Sequence, residues 1–230
     1  MVIYDSRQFI YSCNHSLPRP FMINCIEIDS VQKTIEGKKV LADIYLKINS
    51  GEIISIAGNN GTGKSTLLKI IFGTMPADQK FIRINGMPCN KPYTLPHTIT
   101  YLPQHPFIPS QFRLHKAVST FIGKQLTPAF LQDPFLQPLT NTKIVDLSGG
   151  ELRYLETKLI LNKPSLFTLL DEPFNKLSPV LVEQLKNDIN NAAHHKGILI
   201  TNHQQKHISS LAHRHYILHD ATLKEVHGTS

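Results

Sequence analysis

The stretch Gly58-Asn59-Asn60-Gly61-Thr62-Gly63-Lys64-Ser65-Thr66 follows an apolar run, 52–57, and leads into Leu67-Leu68-Lys69-Ile70-Ile71-Phe72. It fits the pattern G-x-x-x-x-G-K-[ST] in the setting that pattern requires, a strand before it and a helix after. The chemistry follows from the residue types. Glycines let the backbone curl until successive N–H groups converge, and a helix N-terminus adds partial positive charge, so the loop suits phosphate oxygens. Lys64 is placed for the β and γ phosphates of a nucleotide, and the Ser65 hydroxyl for Mg²⁺. Strand, loop and helix in this order begin an α/β fold with a mainly parallel sheet.

Toward the N-terminus, the runs 23–28 and 40–48 alternate apolar and polar residues, with Gly37 and the Ser50-Gly51 pair as turns, which predicts an antiparallel opening. Residues 1–22 are irregular, carry Pro18 and Pro20, and read as an appendage to a domain spanning 23–230. The first 21 are expected to be dispensable for nucleotide chemistry. Toward the C-terminus, the helix Lys64–Phe72 stops at Gly73 and Pro76. Residues 102–147 are proline-rich with short amphipathic pieces such as Leu114–Ile122, and predict a small helical insertion over about 104–163. Ser148 opens a helix with Leu152, Leu155, Leu159 and Ile160 as its apolar stripe. Ser178 followed by Pro179 caps another, carrying Leu181, Val182, Leu185 and Ile189.

The run 166–170 is uniformly apolar, as a parallel strand buried on both faces must be. It delivers Asp171 and Glu172 at its C-terminal end, where ligands bind in open α/β sheets. Asp171 suits the Mg²⁺ shell, and Glu172 suits the orientation or deprotonation of an attacking water. Adjacent carboxylates after a strand are often turn residues only, and their partnership with the phosphate loop is what favours chemistry here.

Leu147-Ser148-Gly149-Gly150-Glu151 resembles the signature motif of ATP-binding cassette (ABC) proteins, and the resemblance covers residues 23 to about 227. The order agrees as well: phosphate loop, a glutamine loop in Tyr101-Leu102-Pro103-Gln104, signature, Walker B with Glu172, and a switch histidine in Ile200-Thr201-Asn202-His203. Ser148 with Glu151 three residues on is also a capping-box pattern, so Ser148 caps a helix whose first amides the two glycines leave uncovered. The resemblance implies ATP and Mg²⁺ as ligands and a head-to-tail dimer, homo- or heteromeric. In that dimer Ser148, Gly149, Gly150 and Glu151 face the γ-phosphate bound by a second cassette. It implies that Gln104 senses Mg²⁺ and the attacking water, and that His203 contacts the γ-phosphate and holds Glu172. It further implies membrane-spanning transporter subunits as partners and a cytoplasmic position, peripheral on the membrane through them.

Two positions depart from the family's pattern. Ile35 stands where an aromatic ring usually stacks on adenine, and Ser178 stands where the loop after Walker B usually carries Asp. Both leave the phosphate chemistry intact and bear on base recognition and on communication between sites.

The rest of the sequence narrows the function. A formal charge of +7 admits an anionic partner, yet the basic residues are scattered and form no nucleic-acid arm, so no nucleic acid is expected. Cys13, Cys25 and Cys89 have no metal or disulfide spacing and suggest a reducing compartment. No run is long enough to span a membrane, and the N-terminus does not read as a secretory signal. Histidines crowd the C-terminal half; His203 and His207 have helical metal-ligand spacing, but solvated surface histidines are the expected reading. Phe107, Phe112, Phe121, Phe130 and Phe135 are expected to pack the helical insertion rather than form a docking surface. DNA-acting relatives carry a long coiled coil between the glutamine loop and the signature, where this interval is short. Ribosome-acting relatives join two cassettes in one chain. A regulatory subunit without turnover is opposed by Glu172 and His203. The expected function is therefore ATP hydrolysis powering transport through separately encoded membrane subunits.

Overall fold

The computed structural model describes residues 23–203 and 210–226; the appendage expected over 1–22 and His207 lie outside them. The chain opens with strands β1 (Cys25–Ile35), β2 (Lys38–Asn49) and β3 (Ile53–Ala57), then helix α1 (Lys64–Phe72). Strands β4 (Gln79–Ile84), β5 (Met87–Pro88) and β6 (Ile99–Leu102) follow, then helices α2 (Leu114–Ile122), α3 (Thr127–Phe130) and α4 (Gly149–Asn162). Strand β7 (Phe167–Asp171), helix α5 (Pro179–Ala193) and strands β8 (Gly197–Asn202), β9 (Arg214–His219) and β10 (Thr222–Val226) complete the order. The fold is α/β with two sheets. One is antiparallel in the order β2-β1-β4-β5; the other, β10-β9-β3-β8-β7-β6, is parallel except for its β10 edge.

Strand alternation sorts the core. Because successive side chains point to opposite faces, Ile54, Ile56, Leu169 and Leu199 join α1 and the antiparallel sheet in one buried cluster. Their neighbours Ile53, Leu170, Ile198 and Ile200 pack with the helical region, α4 and α5 in the other. This is why these strands read as unbroken apolar runs: both faces are covered. Phe130 is buried in the second cluster, and Phe107, Phe112, Phe121 and Phe135 pack against it; Phe107 meets Phe121 edge-on with centroids 5.3 Å apart.

The expected antiparallel opening is present, with longer strands than the alternation suggested. The Glu36-Gly37 turn takes positive φ at both residues, 49° and 75°, so β1 and β2 continue to Ile35 and from Lys38. Strands β4 and β6 are additions to the sequence reading. Leu102, the first residue of the proline-rich stretch, is the last residue of β6, ahead of the insertion expected from about 104. The histidines also need correction in part. His213 Nδ1 accepts the Ile53 N–H at 2.9 Å, and half-buried His215 bonds Ser55 Oγ through Nδ1 at 2.8 Å, so both pin β9 to β3. Among the described residues no helix is long and apolar enough to cross a membrane.

Parallel strands matter to the site because β3, β6, β7 and β8 all end at the same edge. The loop after Ala57, Gln104, the Asp171-Glu172 pair and His203 emerge there together.

Candidate functional site

The phosphate loop is shaped by its glycines. Gly63 has φ of 105°, and a Cβ there would stand 2.7 Å from Val40 Cγ1, so neither the backbone nor the space tolerates a side chain. The loop closes on itself through the Thr62 hydroxyl, which donates to Asn59 O at 3.0 Å. Lys64 is buried, and its Nζ donates to Gly58 O at 2.6 Å and Asn59 O at 2.9 Å. Burial pulls its pKa down, while the charges of Glu172 and Asp171 oppose the shift. The ammonium thus sits inside the curl of the loop, held by carbonyls in reach of the same space as the loop amides.

Asp171 is fully buried at the end of β7. The Thr201 hydroxyl donates to Oδ1 at 2.7 Å, and the Tyr101 hydroxyl to Oδ2 at 3.3 Å. Burial, and next the negative Asp171, raise the Tyr101 pKa, which keeps the phenol a donor. Glu172 has φ of 51°, an uncommon conformation for a residue with a side chain. Its N–H donates to Thr201 O at 3.1 Å and to Thr201 Oγ1 at 3.2 Å. Its Oε1 stands 3.6 Å from His203 Nδ1.

These elements enclose a cleft of about 630 Å³, in the range of small-molecule sites. Its lining brings together Ile35, Asn60, Gly61, Gly63, Lys64, Ser65, Thr66, Gln104 and Glu172. Gly58 and Asn59 hold Lys64, and Asp171 and His203 flank Glu172 on either side. Glu36, Lys38 and Val40 also line the cleft; only Ile35 of this hairpin was expected there. Tyr101 and Thr201 were read as parts of motifs, without a signal for their grip on Asp171, because that grip joins strands far apart in sequence.

The signature is a separate feature. Ser148 Oγ accepts the Glu151 N–H at 3.2 Å and Glu151 Oε2 accepts the Ser148 N–H at 2.8 Å, so the capping box forms in full. Gly150 lies under the loop after β7, where a Cβ would meet Lys176 O at 2.6 Å. Ser148, Gly149, Gly150 and Glu151 do not line the cleft.

Residues 41–175 match the family described as ABC transporter. The chain belongs to that family. It is 30% identical over 212 residues to the lipopolysaccharide export system ATP-binding protein LptB of Haemophilus influenzae, covering 85% of this chain and 87% of that one. It is 26% identical over 213 residues to the spermidine/putrescine import ATP-binding protein PotA of Aliivibrio fischeri, covering 87% of this chain and 57% of that one. The fold matches a nucleotide-free ATP-binding cassette from an ABC transporter with a TM-score of 0.77, at 21% identity over 90% of this chain and 92% of the other. As an ABC cassette this protein binds and hydrolyses ATP, and it drives transport.

Proposed function

We propose that this ABC cassette hydrolyses Mg-ATP at a site completed by a second cassette packed head to tail. The observation that carries this reading is the exposed N-terminus of α4. Ser148 and Gly149 face solvent, outside the cleft that holds Lys64, Gln104 and Glu172. A capped helix start with bare glycines is an anion site, and in one chain it has no phosphate to meet. Placed against another cassette, it closes the cleft over the γ-phosphate.

Within the cleft, loop amides and Lys64 bind the β and γ phosphates, and Lys64 exchanges Gly58 O and Asn59 O for phosphate oxygens. Ile35 and Val40 give the base an aliphatic wall. The donor set of Ser65 hydroxyl, Asp171 carboxylate and Gln104 amide is all oxygen, which fits Mg²⁺; bound there, the ion neutralises phosphate charge. Glu172 orients or deprotonates the attacking water, and His203 holds the Glu172 carboxylate and touches the γ-phosphate. Catalysis is then mostly positioning and charge neutralisation around an in-line displacement. The cassette sits on the cytoplasmic face of the membrane through its transporter subunits.

Glu172→Gln tests the reading. It removes the carboxylate facing the water and spares the phosphate loop, so steady-state hydrolysis should be lost with ATP binding intact. An ATP-dependent dimer should then be visible by size exclusion. Turnover near wild type would show that Glu172 is not the catalytic carboxylate.

A further inference from the structure

Arg153 stands one turn into α4, almost wholly buried at 6% exposure. Its guanidinium takes three backbone carbonyls. Nη1 donates to Pro103 O at 2.7 Å, Nη2 donates to Asp171 O, and Nε donates to Glu172 O at 3.3 Å. One side chain of the signature helix therefore holds the residue before Gln104 and both residues of the Asp171-Glu172 pair. Glu156, three positions on and also buried, faces Arg153 at 3.8 Å. Its Oε1 accepts the Phe107 N–H at 2.7 Å and the Ile108 N–H at 3.4 Å. The stretch containing Gln104 is thus gripped at both ends by a single turn of α4.

The backbone being held is unusual. Glu172 keeps a left-handed φ, an uncommon conformation for a residue with a side chain that persists where the surroundings over-determine it. Thr201 fixes the N–H of Glu172 itself, and Arg153 fixes the Asp171 and Glu172 carbonyls on both sides of its Cα. Burial lowers the Arg153 pKa, with Glu156 as the largest opposing charge; the planar fork still spans three acceptors, which a lysine ammonium cannot do in the same geometry.

We propose that Arg153 is a positioning residue for hydrolysis, transmitting the setting of the signature helix to the Glu172 carboxylate and to Gln104, with Glu156 holding the far end of the glutamine loop. This rests on the reading of Glu172 as the catalytic carboxylate. The consequence is that α4 does two things: its exposed end meets the second cassette, and its buried turn sets the water-activating group of its own site. A staple that only added stability would leave the chemical step alone.

The test uses the full chain. Arg153→Ala and Arg153→Lys are compared with wild type for ATP affinity, kcat and thermal unfolding, and each is combined with Glu172→Gln for single-turnover hydrolysis. Expected is a fall in kcat of at least tenfold for Arg153→Ala, about 1.4 kcal/mol in the barrier. ATP affinity should stay within threefold, and Arg153→Lys should be intermediate. In the Glu172→Gln background the Arg153 changes should cost clearly less than in the wild type, since the part of their effect that acts through the Glu172 carboxylate is already lost and only the hold on the Gln104 stretch is left. Wild-type kcat in Arg153→Ala, a loss carried by affinity, or an equal fall in the Glu172→Gln background would each overturn the proposal. Where Arg153→Ala does not fold, Arg153→Lys alone decides on the same readouts. Failure of the Glu172 reading itself shows separately, as Glu172→Gln retaining wild-type turnover.

Discussion

Ile35 lies at the end of β1 on the rim of the cleft, 38% exposed, with Val40 beside it. An aromatic ring stacked on a base contributes on the order of 1–3 kcal/mol; isoleucine keeps van der Waals contact and lacks the π face. Phosphate contacts are blind to the base. GTP should therefore support hydrolysis within about tenfold of ATP, a gap of about 1.4 kcal/mol. Ile35→Tyr should tighten ATP binding with little change in maximal rate, because stacking is equal in ground and transition states. Nucleotide competition on both proteins decides it, and a strong ATP preference unaffected by the substitution would place base reading elsewhere. Thr201 makes the second residue-scale case. Its hydroxyl gives Asp171 a hydrogen bond and receives one from Glu172 N–H, all within the core. Thr201→Val keeps the shape and leaves a buried carboxylate short of a donor, which should cost about 1–3 kcal/mol. Thr201→Ser should restore most of it. Denaturant unfolding of the two variants gives the comparison.

At the scale of elements, α4 was legible and its buried turn was not. Ser148 and Glu151 stand three apart before an apolar stripe, and local chemistry is enough to specify the cap. Ser148→Ala removes it and should lower stability by about 1 kcal/mol, while hydrolysis falls without a change in ATP affinity, because the cleft of the same chain does not include Ser148. Unchanged hydrolysis would argue against a role for this helix end at the phosphate. Arg153 sits in the same helix and carries no local signal, since its partners are carbonyls at the C-terminal ends of two strands, β6 and β7, distant in sequence. The strands divide similarly. The doubly buried β7 and β8 announce themselves as apolar runs. In contrast β4, QKFIRI, pairs along one edge of β1 and has too little periodicity to be seen before its partner is known.

For the whole molecule, the site exists because four parallel strands end together, and the frame around them can be tested through Lys196. This lysine is buried, and its Nζ donates to Leu161 O at 2.8 Å and Lys163 O at 2.9 Å at the C-terminus of α4. Burial lowers its pKa to about 8 from 10.5. Between those values the unfolded chain binds more protons than the folded one, so this group makes stability rise with pH from about 8 to about 10.5. The wild type should gain about 2 kcal/mol relative to Lys196→Met between about pH 7.5 and 9.5. Urea unfolding at the two pH values measures this, and a difference that stays flat or falls would show that the amine is not desolvated as placed.

The sequence alone determined the phosphate loop, the cap of α4, the buried strands carrying Asp171 and His203, and through the order of motifs the family. Each of these is written in neighbouring residues: glycines that must curl, a serine three before a glutamate, apolar runs covered on both faces. The tertiary structure alone decided who holds the chemistry in place. Thr201 and Tyr101 on Asp171, Arg153 across Pro103, Asp171 and Glu172, and Glu156 at the far end of the glutamine loop are contacts between segments 18 to 70 residues apart. No local pattern encodes such a contact, because its geometry comes into being only when strands β6, β7 and β8 pair and α4 packs against their ends.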